Sequence, residues 1–233
     1  MERIPLYEPY LAALADLFYP QRCVGCGRRA RDVLCRACFE ALPEVGHPIC
    51  ARCGLPTAFE TLVCEECKNV DFNFDSARAP LRYEGVGKKV VHALKYRGYT
   101  RVVERLAAPL IVGVLGDGAR FDAVVPVPLH RSRLRKRGFN QAELLAGGVA
   151  RKINAPLSDT LEVVRSTRDQ VELSAAGRRA NVAGAFAARG RVAGRILLVD
   201  DVFTTGATMS ACAGTLLGAG AGEVHALSLC RTV

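Results

Sequence analysis

The segment R-I-L-L-V-D-D-V-F-T-T-G-A-T-M, Arg195 to Met209, constrains the fold of this 233-residue chain more than any other. Ile196 to Val199 is an aliphatic run without a polar break, the pattern of a strand buried on both faces. Asp200 and Asp201 follow where that strand would leave the core. Thr204, Thr205, Gly206, Ala207 and Thr208 then lead into a helix-like stretch, Met209 to Leu217. A buried strand, two carboxylates, a small-residue turn and a helix start together form the plan of a ligand site in an open, mostly parallel α/β sheet.

Each position can be read chemically. Carboxylates accept hydrogen bonds and suit the vicinal hydroxyls of a ribose. The Thr-Thr-Gly-Ala-Thr turn brings backbone N–H groups to an anion at the positive end of a helix and adds three hydroxyls. Gly206 permits close approach or positive φ. The ligand implied is a ribose with a 5′-phosphate. A plain helix-capping turn would use the same residues. A Walker B carboxylate would need a Walker A partner, and Gly87-Lys88 lacks the Ser or Thr that would have to follow it.

L-V-D-D-V-F-T-T-G-A-T-M resembles the phosphoribosyl pyrophosphate (PRPP) loop of type I phosphoribosyltransferases. Three further stretches resemble the ComF family, proteins linked to DNA uptake in competent bacteria. They are the cysteine pairs before residue 68, V-P-V-P-L-H-R-S-R-L-R-K-R-G-F-N-Q-A-E at 125–143, and L-S-A-A-G-R-R-A-N-V-A-G-A-F at 173–186. The resemblance covers nearly the whole chain. It implies a type I phosphoribosyltransferase-like α/β domain behind a small N-terminal double zinc ribbon. It also implies a pyrophosphate-facing turn near Pro128 to Arg131 and a lid over PRPP within Ser166 to Asn181, which carries Arg168, Arg178 and Arg179.

The cysteines speak independently of that resemblance. Cys23-x-x-Cys26, Cys35-x-x-Cys38, Cys50-x-x-Cys53 and Cys64-x-x-Cys67 are four C-x-x-C pairs, each a turn that aims two thiolates at one tetrahedral ion. Gly27 and Gly54 follow the first pair of each half and no glycine follows the second, so the stretch is an internal repeat. The repeat favours sequential sets, Cys23/Cys26/Cys35/Cys38 and Cys50/Cys53/Cys64/Cys67, each holding one structural zinc; a crossed pairing is compatible with the spacing. Four thiolates close the shell, which argues against catalytic zinc. Cys212 and Cys230 lie outside the pairs and read as small buried hydrophobes.

The chain divides into 1–70, an N-terminal helix with the double ribbon, and 77–233, the α/β domain. Leu11, Leu14, Leu17 and Phe18 lie at helical spacing before Pro20, and Lys68 to Pro80 reads as a linker. Ala77 to Tyr83 predicts a strand, Gly87 to Tyr96 a helix, and Arg101 to Leu115 a second helix that Pro109 kinks or breaks. Phe121 to Pro128 predicts a buried strand, Ala142 to Ile153 a helix, and Leu161 to Arg165 and Glu223 to Leu229 further strands. Between them, Arg131, Arg133, Arg135, Lys136 and Arg137 run into Gly138-Phe139-Asn140-Gln141. This is expected to be an ordered loop over an anion, with Arg131, Arg135, Arg137, Asn140 and Gln141 contacting pyrophosphate or nucleic acid. Lys95 is a weaker phosphate candidate.

A formal charge of +9 favours polyanionic partners, whereas 6% aromatics and no Trp leave few platforms for stacking single-stranded bases. No apolar run reaches the length of a membrane span, and no secretory signal is recognisable, so a cytoplasmic location is expected. Three functions fit: handling of single-stranded DNA with other DNA-uptake proteins, phosphoribosyl transfer to an unknown acceptor, and PRPP sensing. Where PRPP is the ligand, Mg²⁺ would accompany it, held mainly by the ligand's own oxygens.

Overall fold

The computed structural model describes residues 21–97, 100–116, 118–165, 182 and 184–233. The N-terminal helix expected over Tyr10 to Phe18, and the lid expected within Ser166 to Asn181, lie outside the described residues. The chain forms two compact units, Met1–Leu42 and Pro43–Val233. The second cysteine set therefore belongs to the same unit as the sheet.

In the first unit the described part is a cysteine knuckle followed by a short helix, α1 (Arg36–Glu40), whose first turn carries Cys38 inward. The second unit opens with an equivalent knuckle and α2 (Glu65–Asn69). The stretch expected to be a linker is instead core: Phe72 and Phe74 are 5% and 1% exposed. Its polar residues make seams with other elements. Asp75 exchanges two bonds with Val224, and Asn73 bonds the Ser210 hydroxyl and carbonyl.

Strands β1 (Ser76–Arg78) and β2 (Leu81–Arg82) replace the single strand expected over Ala77 to Tyr83. Helix α3 (Gly85–Arg97) follows, and then α4 (Thr100–Val102), a π-helical turn over Val103–Ala107, and α5 (Ala108–Gly113). The expected break at Pro109 takes this form. Proline cannot donate to the carbonyl four residues back, and the ladder widens there, with Ala108 N–H reaching Val103 O.

Strand β3 (Ala123–Pro126), helices α6 (Arg131–Arg137) and α7 (Gln141–Ile153), the pair β4 (Leu161–Val163) and β5 (Phe186–Ala188), β6 (Arg195–Phe203), α8 (Ala207–Gly218) and β7 (Glu223–Arg231) complete the unit. The main sheet runs β1-β7-β6-β3, with β2 also on β7, and every pairing in it is parallel. Strands β4 and β5 form a separate antiparallel pair. Strand β6 is interior, and Ile196 to Val199 are at most 1% exposed, as an unbroken aliphatic run requires.

Helix α7 packs on β3 and β6 and against the π turn through a small-residue seam. A Cβ at Gly148 would meet Val103 Cγ1 at 2.7 Å and Ala108 Cβ at 3.1 Å, whereas one at Gly147 would meet only flexible side-chain ends at 3.7 and 3.8 Å. Gly147→Ala should therefore stabilise the protein by about 0.4–1 kcal/mol through helix propensity and unfolded-state entropy. Gly148→Ala should destabilise it, by about 1–3 kcal/mol if the overpacked seam relaxes as cores usually do. Thermal unfolding of the two variants checks this, and equal shifts of one sign would contradict the seam.

Candidate functional site

Strands β3, β6 and β7 end at one edge of the parallel sheet. Pro126 pairs with Val199, and Asp200 with Ser228, so Asp200 lies one residue past the exit of β3 while β7 runs on beside β6 to Arg231, opposite Phe203. The turn after β3 is tied to this edge, because Val127 N–H donates to Val199 O at 2.9 Å. Ligands of open α/β sheets bind at such carboxyl ends.

Successive strand residues face opposite ways, and the two acids divide accordingly. Asp201, 5% exposed, reaches Lys95 of α3, with Nζ 2.8 Å from Oδ2. The pair is ionic rather than well aligned, since among the described residues Oδ2 makes no hydrogen bond of good geometry. Burial works against the Lys95 charge, but Asp201 beside it, and Asp200 beyond, hold its pKa above the ordinary value. Lys95 therefore enters the site through a carboxylate. Asp200 keeps part of its surface and takes the Asp201 N–H at 2.8 Å on Oδ1. Burial, and then the charge of Asp201, push its carboxyl well above the usual range. Burial first, and Asp200 second, push the Cys212 thiol up as well, so that cysteine is a core residue and not a nucleophile.

Beyond Phe203 the chain turns through Thr204, Thr205 and Gly206. Gly206 is the N-cap of α8, at φ 72°, and among the described residues no side chain caps the helix. The first turn of α8 holds no acidic residue, and its first backbone bond runs from Ser210 N–H to Gly206 O. The leading amides therefore lack an intrahelical carbonyl, the arrangement that binds anions. Thr204, Thr205 and Thr208 are half-buried around it, and Ala207 is buried.

Glycine is required twice over at 206. Besides the positive φ, a Cβ would meet Phe203 Cζ at 2.6 Å and Phe72 Cε1 at 2.7 Å. Those rings belong to a cluster: Phe72 stacks on Phe74 at 4.7 Å, and Phe203 stands edge-on to both. Arg231, 4% exposed, lies over Phe203 with its guanidinium carbon 5.3 Å from the ring centre. Burial lowers the Arg231 pKa from its ordinary value, and the nearby cysteines offset only part of that. Thr232 N–H donates to Phe203 O at 2.9 Å, and its hydroxyl to Thr204 O at 3.3 Å. The end of β7 thus braces the turn from beneath. Sequence reasoning passed over Phe72, Arg231 and Thr232; an Arg closing a buried β-strand was the available signal.

The basic run is not a loop. Residues 131–137 form α6, with the His130 ring as N-cap acceptor for Ser132 N–H and Gly138 as C-cap at φ 85°. Arg and Leu are good helix formers, and these two caps supply the ends. No residue of α6 is buried; Arg131 and Arg135 are exposed, and Arg137 is half-buried and donates to Gln141 Oε1. Asn140 and Gln141 are 8% and 7% exposed. Asn140 accepts from Ala142 N–H as the α7 cap and donates to Val127 O at 3.1 Å. It fixes the turn after β3 to the helix that follows.

The eight paired cysteines form two quartets, Cys23/Cys26/Cys35/Cys38 and Cys50/Cys53/Cys64/Cys67, and the sulfurs of each lie within 4.8 Å of one another. The sequential arrangement is thereby the one adopted. In each, a backbone N–H points at a sulfur: Cys35 N to Cys23 Sγ at 3.3 Å, and Cys64 N to Cys50 Sγ at 3.4 Å. Burial and neighbouring sulfurs push Cys38 up to about 12, and burial lifts Cys53 to about 11. Crowded thiols of this kind ionise together only around a cation, and tetrahedral S₄ sites fit zinc. The surroundings differ. Cys26 is exposed, and the Arg28 side chain draws its thiol down to about 6, whereas all four cysteines of the second quartet are buried.

Fold and quartets together define a double zinc ribbon with an α/β parallel-sheet unit, and comparison with known proteins agrees. Residues 14–68 match the double zinc ribbon domain family. The chain is 34% identical over 207 residues to DNA utilization protein YhgH of Salmonella typhimurium, covering 86% of this chain and 91% of that protein. Competence protein F of Haemophilus influenzae is 28% identical over 228 residues, with 92% and 98% covered. Competence protein ComFC of Bacillus subtilis is 27% identical over 213 residues, with 86% and 85% covered. The chain belongs to the ComF family.

Two outcomes are expected. A strong chelator should remove zinc in two phases, the fast one from the first quartet, where Cys26 is exposed; Cys26→Ser should abolish the fast phase and leave the slow one. Release in a single phase would contradict the difference in burial. For Asp200, a folded pKa raised above the unfolded value of about 3.9 stabilises the fold fully only below that value, and the contribution is lost as pH rises through the folded pKa. Asp200→Asn should therefore unfold at a higher temperature than wild type at pH 7. The difference should close near pH 4; a lower Tm for the variant at pH 7 would refute it.

Proposed function

We propose that this ComF-family protein acts in the uptake or use of DNA, and that its sheet-edge site binds PRPP or a related 5′-phosphoribosyl ligand. The observation that carries the ligand is the pairing of Asp200 with the uncapped start of α8. Asp200 is a half-buried acceptor that takes the Asp201 N–H on Oδ1, and vicinal ribose hydroxyls are donors of the right kind for its remaining capacity. Next to it, the Thr204 to Thr208 turn offers neutral amides and hydroxyls to the 5′-phosphate, at the positive end of a helix. Asp201 serves the same sugar at one remove, orienting the edge through Lys95. This is the phosphoribosyltransferase-like reading of the α/β unit. Mg²⁺ arriving with PRPP would neutralise the pyrophosphate.

The DNA side of the proposal rests on chemistry of a different kind. The relatives' names speak of DNA utilization and competence, and α6 is a helix without a buried residue, with five cations in seven residues and no acid. Such a helix holds phosphates through counterion release, with little sequence preference. Single-stranded DNA entering a cytosol suits it, with other DNA-uptake proteins as partners. Among the described residues no helix is long and apolar enough to cross a membrane.

Calorimetry with Mg²⁺ and PRPP, and DNA binding titrated against salt, test both halves. Asp200→Ala should weaken PRPP binding at least about tenfold, the loss of roughly one charge-assisted hydrogen bond, and leave DNA binding intact. Replacing Arg131, Arg135 and Arg137 by Ala should lower the slope of log affinity against log salt by about 2, since single strands lose roughly 0.7 per phosphate contact. Absence of PRPP binding by the wild type defeats the ligand assignment, and an unchanged slope removes α6 from the DNA contact.

A further inference from the structure

The second cysteine quartet is built into the underside of the phosphate turn. Arg231 Nη1 donates to the Cys53 carbonyl at 2.5 Å, and Gly54, directly after that cysteine, is so close to β1 that a Cβ would stand 2.5 Å from Ala77 O. On its other side the same guanidinium covers Phe203, whose ring occupies the space against which Gly206 turns. A parallel route runs along the chain from Cys67. Arg52, inside the knuckle, donates to Phe72 O at 2.5 Å, and the Phe72 ring is the second wall at Gly206.

Charge explains why a buried guanidinium is tolerated there. Four thiolates around Zn²⁺ leave a net charge of −2, and a cation packed against the cluster offsets it. Without the metal that negative charge is no longer held in place, and Arg231 is left buried with the Cys53 and Thr232 carbonyls and an aromatic face but no facing negative charge. It would then withdraw toward water and release Phe203.

We propose that Arg231 is a positioning residue that makes ligand affinity at the Thr204–Thr208 turn depend on metal in the Cys50/Cys53/Cys64/Cys67 quartet. This rests on the phosphoribose reading of that turn. Coupling of this kind is reciprocal: if the metal tightens the ligand site, the ligand must tighten the metal site by the same factor.

The test uses the full chain loaded with two zinc ions. Zinc affinities are measured by competition with a chromogenic chelator, with and without saturating Mg²⁺ and PRPP, and PRPP affinity is measured by calorimetry. In wild type, PRPP should raise the affinity of one zinc at least about fivefold, the lower end of ordinary allosteric coupling, and leave the other unchanged. Arg231→Met should still bind both zincs and weakened PRPP but lose the shift, and Arg231→Lys should restore part of it. If Arg231→Met binds only one zinc, Phe203→Leu takes its place, since it lies outside the metal shell; it should keep both zincs and lose the shift. PRPP binding that moves neither zinc, or a full shift in whichever of these two variants retains both zincs, overturns the coupling and leaves the phosphoribose site standing. No PRPP binding at all overturns the site itself, and the coupling with it.

Discussion

Two carboxylates on consecutive residues near the end of a buried strand set the terms for the whole sheet edge. Side by side in low dielectric they cannot both stay ionised without help, and the fold treats them differently. Asp201 is given a cation, Lys95, from a helix that packs on the β7 side of the sheet. Asp200 is given one backbone N–H and an unfavourable environment. A strand interior of four aliphatic residues provides the rigidity that makes this imbalance possible, because Ile196 to Val199 cannot shift to relieve it. Strained groups of this kind are held at functional sites and stabilised elsewhere. Here the compensation is the extensive parallel pairing of β6 with β3 and β7.

The turn that follows is stiff for a separate reason. A turn made of small residues has few contacts of its own, so its shape must come from what lies beneath. Three phenylalanines, one buried arginine and the last residues of β7 do this. Two of these parts, Phe72 and Arg231, are hydrogen-bonded to the second cysteine knuckle. The four cysteines of that knuckle share one apolar cluster with Leu198, Met209 and Leu216 of the sheet and its helix. The knuckle thus contributes to the core of the α/β unit as well as to its own fold.

Much of this was legible in the sequence. The aliphatic run, the acid pair and the Thr-Thr-Gly-Ala-Thr turn predicted a strand, a sheet edge and a helix start, and β6 and α8 have those places. The glycine repeat predicted the sequential quartets that form. What escaped was long-range pairing. Lys95 and Asp201 stand on elements far apart in the chain, and Arg231 is 178 positions from Cys53. Nothing in local periodicity links them. Lys68 to Pro80 was misread because Asn73 and Asp75 look like solvated loop residues until Ser210 and Val224 are brought beside them. The basic run was misread because charge density hid two ordinary helix caps, His130 and Gly138.

The two halves of the cysteine repeat also show how one motif acquires two roles. Gly27 and Gly54 occupy equivalent places, at φ 75° and 72°, and each donates its N–H to the carbonyl of the first cysteine of its pair. At Gly27 a Cβ would meet nothing within 4 Å, so only the backbone conformation calls for glycine. At Gly54 the conformation and the Ala77 carbonyl both call for it, because that knuckle is pressed against β1. The first knuckle keeps an exposed thiol beside Arg28, and the second has all four sulfurs covered. Metal in the first quartet would organise its own small unit, whereas metal in the second would lie behind the aromatic wall that Phe72 and Phe203 form at Gly206.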